Sequence, residues 1–372
     1  MSHPLARPGY DEDPRARQPQ PGAEDVAEGP DGAVQAGESL WRLATRRFFR
    51  NPWAVGGLVV LLFFVGVAVA APWLAPYPPD QIDLLNVDAP PSPQHWLGTD
   101  DIGRDILSRL IYGSRVSLLV GFSVAAGTVL LGSLVGAVAG YFGGWVDTVL
   151  MRLIDVMLSF PALFLNILVL AIFGTDFKYL ILILVLTSWM GVARLVRGQF
   201  LQLREMQYVE AARAIGTPAW EIMIHHLLRN ATAPIIVHAT LTVGGAILAE
   251  SALSFLGLGV QPPQTSWGQM LNNAQQYMLT NPMRAVYPGA CIFLTVLAVN
   301  FVGDGIRDAF DPRQKERVRR RWRVAAAFGR APAEEPATTV GQRAGGPERQ
   351  SRGAARGEGW AQPGAREGGR RR

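Results

Sequence analysis

The chain has 372 residues, a formal net charge of +5 and 49% hydrophobic residues, and the apolar ones gather between positions 53 and 306. That distribution argues against two soluble domains and for an all-α polytopic membrane protein. The lone Cys291 excludes a disulfide framework, and arginines that flank apolar runs explain the basic balance without nucleic-acid binding.

Residues 1–38 are rich in Pro, Gly, Asp and Glu and are expected to be a disordered tail. No basic-then-apolar start marks a cleaved signal peptide. Residues 39–52 are expected to hold an amphipathic interfacial helix. Arg42, Arg46 and Arg50 recur every four residues beside Leu40, Ala44 and Phe48. The expected membrane region is 53–310. Its first span, about Trp53 to Leu74, matches the roughly 20 residues that a bilayer core needs. A polar stretch then runs to about Ser114 with turns at Gly98 and Gly103 and a helix start after them. Its aspartates and His95 are expected to cap and pair rather than bind metal.

Span two covers about Val116 to Val138, with Gly132, Gly136, Gly140 and Gly144 at intervals of four, a face that admits a close helix neighbour. A glycine hinge is the alternative. Span three, about Thr148 to Phe173, is expected to kink at Pro161. Asp155 is expected to pair locally with Arg152. Span four is about Tyr179 to Leu195, span five about Ile235 to Leu256, and span six about Ala285 to Val302. From 311 to 372 the chain is expected to be a disordered basic tail able to touch anionic lipid.

Between spans four and five lies a substantially polar loop, residues 199–232. It reads as two short helices with a bend. Glu210 and Ala211 belong to the first, and Gly216 suits a left-handed closing residue. Thr217 is the expected N-cap, Pro218 the first helical residue, and Glu221 lies near the positive helix end. Trp220, Ile224 and Leu227 form an expected apolar stripe. Such a loop either docks a partner or is a solvated hairpin. In span five, Glu250 is a carboxylate at membrane depth, with Ser251 and Ser254 beside it. Such an acid either lines or gates a path or makes a structural hydrogen bond.

Lys and Arg gather before span one, between spans four and five, and after span six, which puts these three regions on the cytoplasmic side of a six-span chain. No G-x-x-x-x-G-K-[ST], G-x-S-x-G or H-E-x-x-H pattern occurs. No catalytic constellation is legible, no cofactor is expected, and the chain is not expected to hydrolyse ATP alone.

Glu210-Ala211-Ala212 with Gly216 resembles the cytoplasmic loop of ABC importer permeases, although Arg229 replaces the Pro usual in His-x-Leu-Pro-Asn. His95-Trp96-Leu97-Gly98-Thr99-Asp100 through Asp105 resembles a segment specific to the oligopeptide, dipeptide and nickel branch. The run from Glu250 to Gly259 and that from Ser266 to Leu271 are similar to the same branch. The resemblance covers about residues 39–313 and places the chain as the second of two different permeases. It implies a type I importer permease fold with six transmembrane helices, and a coupling helix that enters a groove on the ATPase. It also implies a heterodimer with a second permease, two ATPase subunits, an extracytoplasmic substrate-binding protein and alternating access in a prokaryotic plasma membrane.

Overall fold

The computed structural model describes residues 40–310; the two expected tails lie outside the described residues. Among these residues the structure is helical throughout, apart from turns and one isolated bridge between Thr99 and Asp105.

Helix α1 (Leu40–Arg50) ends at Asn51, whose side chain accepts hydrogen bonds from the Trp53 and Ala54 amides and so starts α2 (Pro52–Leu74) with Pro52 in its first turn. α1 exposes Arg42, Arg46 and Arg50, while half-buried Arg47 donates to the Ala309 carbonyl at 3.4 Å where α1 packs on the end of α11 (Met283–Phe310). Trp41 meets Phe310 edge to face at 5.2 Å, and Gly305 leaves room for Phe48 and Ala54.

Helix α3 (Ile106–Phe142) begins ten residues before the expected start at Val116. Asp105 caps it, accepting from the Ser108 amide at 2.7 Å. Hydropathy understates this first part because Ser108, Arg109, Ser114 and Ser117 are buried against protein rather than lipid. Farther along, Gly132, Gly136 and Gly140 press against α6 (Phe177–Leu203). A Cβ on any of them would fall within 3.0 Å of Val192, Val196 or Phe200 or of nearby α6 backbone. Gly144 has open space and begins the next helix, so the packing face holds three of the four expected glycines.

The expected kinked span three is instead a broken pair. α4 (Gly144–Leu158) and α5 (Ala162–Phe173) meet at 84°, with Pro161 as the residue preceding α5. Pro161 lacks the amide that would continue α4, so a break is the physical outcome. Asp155 does approach Arg152, at 3.9 Å, but its closer partner is Arg194 of α6 at 2.6 Å.

After α6 come α7 (Gln207–Ala214), α8 (Ala219–Glu221), a π-helical turn (Ile222–Leu228), α9 (Arg229–Phe255) and α10 (Trp267–Ala274). Among the described residues five helices are long and apolar enough to cross a membrane, six if the bent pair counts as one span. The core has α3 packed against α6 and α9, with α11 closing against α2 and α9. At the end near α10, buried Asp100 accepts from Arg104 Nε at 2.7 Å and also pairs with Arg109, which reaches Gln269 of α10. Arg284 of α11 pairs with Asp88 and donates to the Thr99 carbonyl at 3.0 Å. His95 contacts Asp105 at 3.0 Å, so this segment caps and pairs as its composition suggests. Gly98 and Gly103 both have positive φ, in keeping with their turns.

Candidate functional site

The segment from Arg204 to Arg229 is an anchored projection at the opposite end of the bundle. Arg204 ends α6 and donates to the Gly140 carbonyl at 3.2 Å. α7 then buries Val209 and Ala212, and the π-helical turn buries Ile222 and Leu227. These four side chains join Val192, Val196 and Phe200 of α6 and Ala231 and Ile235 of α9 in one apolar cluster. Each buried aliphatic group of this size contributes about 1.5–3 kcal/mol, so the segment is held by packing. Asn230 adds a bond to Tyr208 Oη at 3.2 Å, and Arg213 stacks over Tyr141 at 5.5 Å.

The bend is a Schellman closure. The Thr217 amide donates to the Ala212 carbonyl at 3.1 Å, and the Gly216 amide to the Arg213 carbonyl at 3.0 Å. Gly216 takes φ +81°, and a Cβ there would meet nothing within 4 Å. The backbone conformation alone therefore demands glycine. Because the Thr217 amide closes α7, the next helix starts one residue later than expected. Pro218 occupies the N-cap position, no side chain caps it, and Glu221 lies in the first turn.

The expected stripe of Trp220, Ile224 and Leu227 is divided. Trp220 is 58% and Ile224 51% exposed, whereas Leu227 is fully buried together with Ile222. The cause is the π-helical turn. Its i→i+5 bonding brings residues 222 and 227 onto one face, a pairing that a 3.6-residue period does not give. Met206, Tyr208 and Ile215 are also exposed, and polar composition hid these three from the sequence reading. Glu210, Ala211, Gly216 and Pro218 are exposed as well, while Thr217 and Glu221 are half-buried. His225 faces Trp220 and His226 faces Tyr208, so the two rings diverge. Among the described residues no group of three or more His, Cys, Asp or Glu could hold a metal ion.

At the other end, Glu250, Ser251 and Ser254 of α9 are all buried, and Glu250 has no exposure. One Glu250 carboxylate oxygen accepts from Ser254 Oγ at 2.6 Å and from Ser266 Oγ at 2.7 Å. Ser266 also caps α10 by accepting from the Gln269 amide at 3.1 Å. Trp267 donates to Ser117 Oγ and to the Leu110 carbonyl of α3. Gly268 lets α10 approach Ser251 and Ser254 so closely that a Cβ would lie 2.6 Å from the Ser251 Cα. In this arrangement Glu250 fastens α10 to α9. Within the chain the three residues are interior groups and not the wall of an open cavity.

Two family profiles match. The binding-protein-dependent transport system inner membrane component matches residues 132–316. The N-terminal TM domain of oligopeptide transport permease C matches residues 39–91. The chain is 41% identical over 277 residues to a dipeptide transport system permease protein DppC of Alkalihalophilus pseudofirmus, covering 74% of this chain and 91% of that one. It is 40% identical over 294 residues to an oligopeptide transport system permease protein OppC of Haemophilus influenzae, covering 78% and 94%. It is 42% identical over 277 residues to a glutathione transport system permease protein GsiD of Pectobacterium atrosepticum, covering 74% and 92%.

Proposed function

We propose, for a chain that belongs to the permease family of binding-protein-dependent ABC importers, that it carries di- or oligopeptides through the membrane as one half of a permease heterodimer. As a member it is a multi-pass membrane component, not the ATPase. In this reading one of the two ATP-binding-cassette subunits docks on residues 207–228, the other meets the second permease, and a substrate-binding protein delivers peptide at the α10 end. Both termini lie in the cytoplasm of a prokaryote, and the bilayer surrounds 53–310. The 39–52 segment lies at the inner interface, where its arginines meet lipid headgroups. ATP is bound and hydrolysed by the partners alone.

The observation that carries the coupling role is the contrast within one segment. Ile222 and Leu227 tie it into the α6–α9 core, while Ile215, Trp220 and Ile224 present apolar surface away from that core. Anchored backbone with exposed apolar side chains suits a partner's groove. When the ATPase pair closes, a segment packed in this way moves α6 and α9 with it. The Glu210 carboxylate is exposed and has no side-chain hydrogen bond or ion pair among the described residues, which leaves it to meet the ATPase. Glu250, Ser251 and Ser254 act at the gate by holding α10 in place.

A glutathione importer is the second reading, favoured by the 42% identity to the glutathione permease. The deciding experiment is uptake of labelled dipeptide and of labelled glutathione in proteoliposomes containing the chain with its permease, ATPase and binding-protein partners. Peptide uptake that needs ATP and the binding protein is expected. Uptake driven by an ion gradient without ATP would instead indicate a secondary transporter.

A further inference from the structure

Near the middle of α6, the exposed surface changes character. Its first half exposes Tyr179, Leu182 and Leu186, whereas its second half exposes Gly191, Arg194 and Gly198. Gly191 lies about 18 Å from the Leu203 end of α6, using a rise of 1.5 Å per residue. Directly opposite it stands His238 of α9, whose Nε2 would be 3.4 Å from a Cβ at Gly191. The His238 side chain is half-buried and has no hydrogen bond or ion pair among the described residues.

One turn from Gly191, Arg194 pairs with Asp155 of α4 at 2.6 Å, and both side chains are about half exposed (48% and 49%). The α4–α5 break at Ser159–Pro161, also exposed, lies just beyond Asp155. Irregular backbone at membrane depth persists only where protein covers it or where it borders a water-filled cavity. Ionisable side chains at that depth likewise face a cavity or a partner, not lipid. Three features, contributed by α4, α6 and α9, thus fall within one turn of each other along α6, and we read them together as one polar groove. Gly198 and Gly245 leave open space along its two long helices.

We propose that this groove is a contact site on the translocation path for the charged termini of a short zwitterionic peptide. Arg194 retains guanidinium donors beyond the one spent on Asp155 and offers them to a carboxylate. Asp155 offers its second oxygen, whose ion-pair contact among the described residues is with Arg152 at 3.9 Å, to an ammonium group. The His238 ring supplies one donor or acceptor to the peptide group between them. Because Arg194 and Asp155 also hold each other, peptide shares them with the ion pair and is held weakly, which suits a path more than a storage site.

The inference rests on the peptide-importer reading, and the test separates the two. The assembled transporter carries Cys291→Ser, then His238→Cys or Gly198→Cys, and is exposed to a water-soluble cationic thiol reagent in proteoliposomes. Both introduced cysteines should be labelled, and saturating dipeptide with ATP should slow labelling at least fivefold. Leu182→Cys should stay unlabelled. Arg194→Gln should raise the KM for dipeptide about tenfold with little change in kcat, and Arg194→Lys should restore part of it. Unlabelled cysteines at both groove positions, or labelling that dipeptide does not slow, would overturn the site. Absence of ATP-driven dipeptide uptake by the Cys291→Ser parent would instead overturn the peptide reading.

Discussion

Gly216 shows how a single residue sets the direction of the segment proposed to dock the ATPase. Its φ of +81° costs a side chain about 1–2 kcal/mol, and no neighbour within 4 Å would clash with a small one. Gly216→Val should therefore leave membrane insertion unchanged yet uncouple ATP hydrolysis from uptake, as read from substrate-stimulated hydrolysis in the reconstituted complex. Equal coupling ratios in variant and parent would remove Gly216 from the mechanism. Glu250 makes a different kind of contribution. Glu250→Ala leaves the Ser254 and Ser266 hydroxyls without their acceptor in a buried site, a loss of about 1–3 kcal/mol. Its melting temperature should fall and uptake should drop, whereas Glu250→Gln, which keeps an acceptor oxygen, should stay closer to the parent. A fully active, equally stable Glu250→Ala would show that α10 needs no such fastening. At this scale the α7 cap was legible because a Schellman closure requires a glycine in a recognisable place. The division between exposed Trp220 and buried Leu227 was not, because the π-helical turn changes the period without any residue that announces it.

Among the elements, the α3–α6 pair is the part of the core most dependent on small residues. Gly136 faces the Ala193 carbonyl and Val196, and a larger group there must push two helices apart. Gly136→Leu should destabilise the chain by about 1–3 kcal/mol and reduce the amount of folded protein recovered in detergent. Recovery and melting equal to the parent would mean that α6 tolerates displacement. The repeat of four was visible in the sequence, as was Pro161. The start of α3 was displaced because buried Ser108, Arg109 and Ser114 read as polar loop when only hydropathy is considered. The angle of 84° between α4 and α5 depends on what each helix packs against, which a lone proline does not specify.

Across the described residues the five apolar helices and the bent pair follow from hydropathy, and the arginines near their boundaries are the basis for the expected orientation. What joins the ends was not legible. Arg284 pairs with Asp88 across 196 positions, and Arg109 reaches Gln269 across 160, and no local pattern specifies such partners. Reporter fusions after Arg50, Asp101, Arg213 and Gln264 should read inside, outside, inside and outside. An outside signal at Arg213 would place the docking segment in the wrong compartment.

Cross-linking from the docking segment tests the coupling role most directly. In a Cys291→Ser background, cysteines at Ile215, Trp220 and Ile224 should cross-link to the ATPase subunits in the assembled complex, while one at Leu84, in the turn after α2, should not. Assembly without any cross-link from the three positions, or cross-linking to the ATPase from Leu84, would contradict the account.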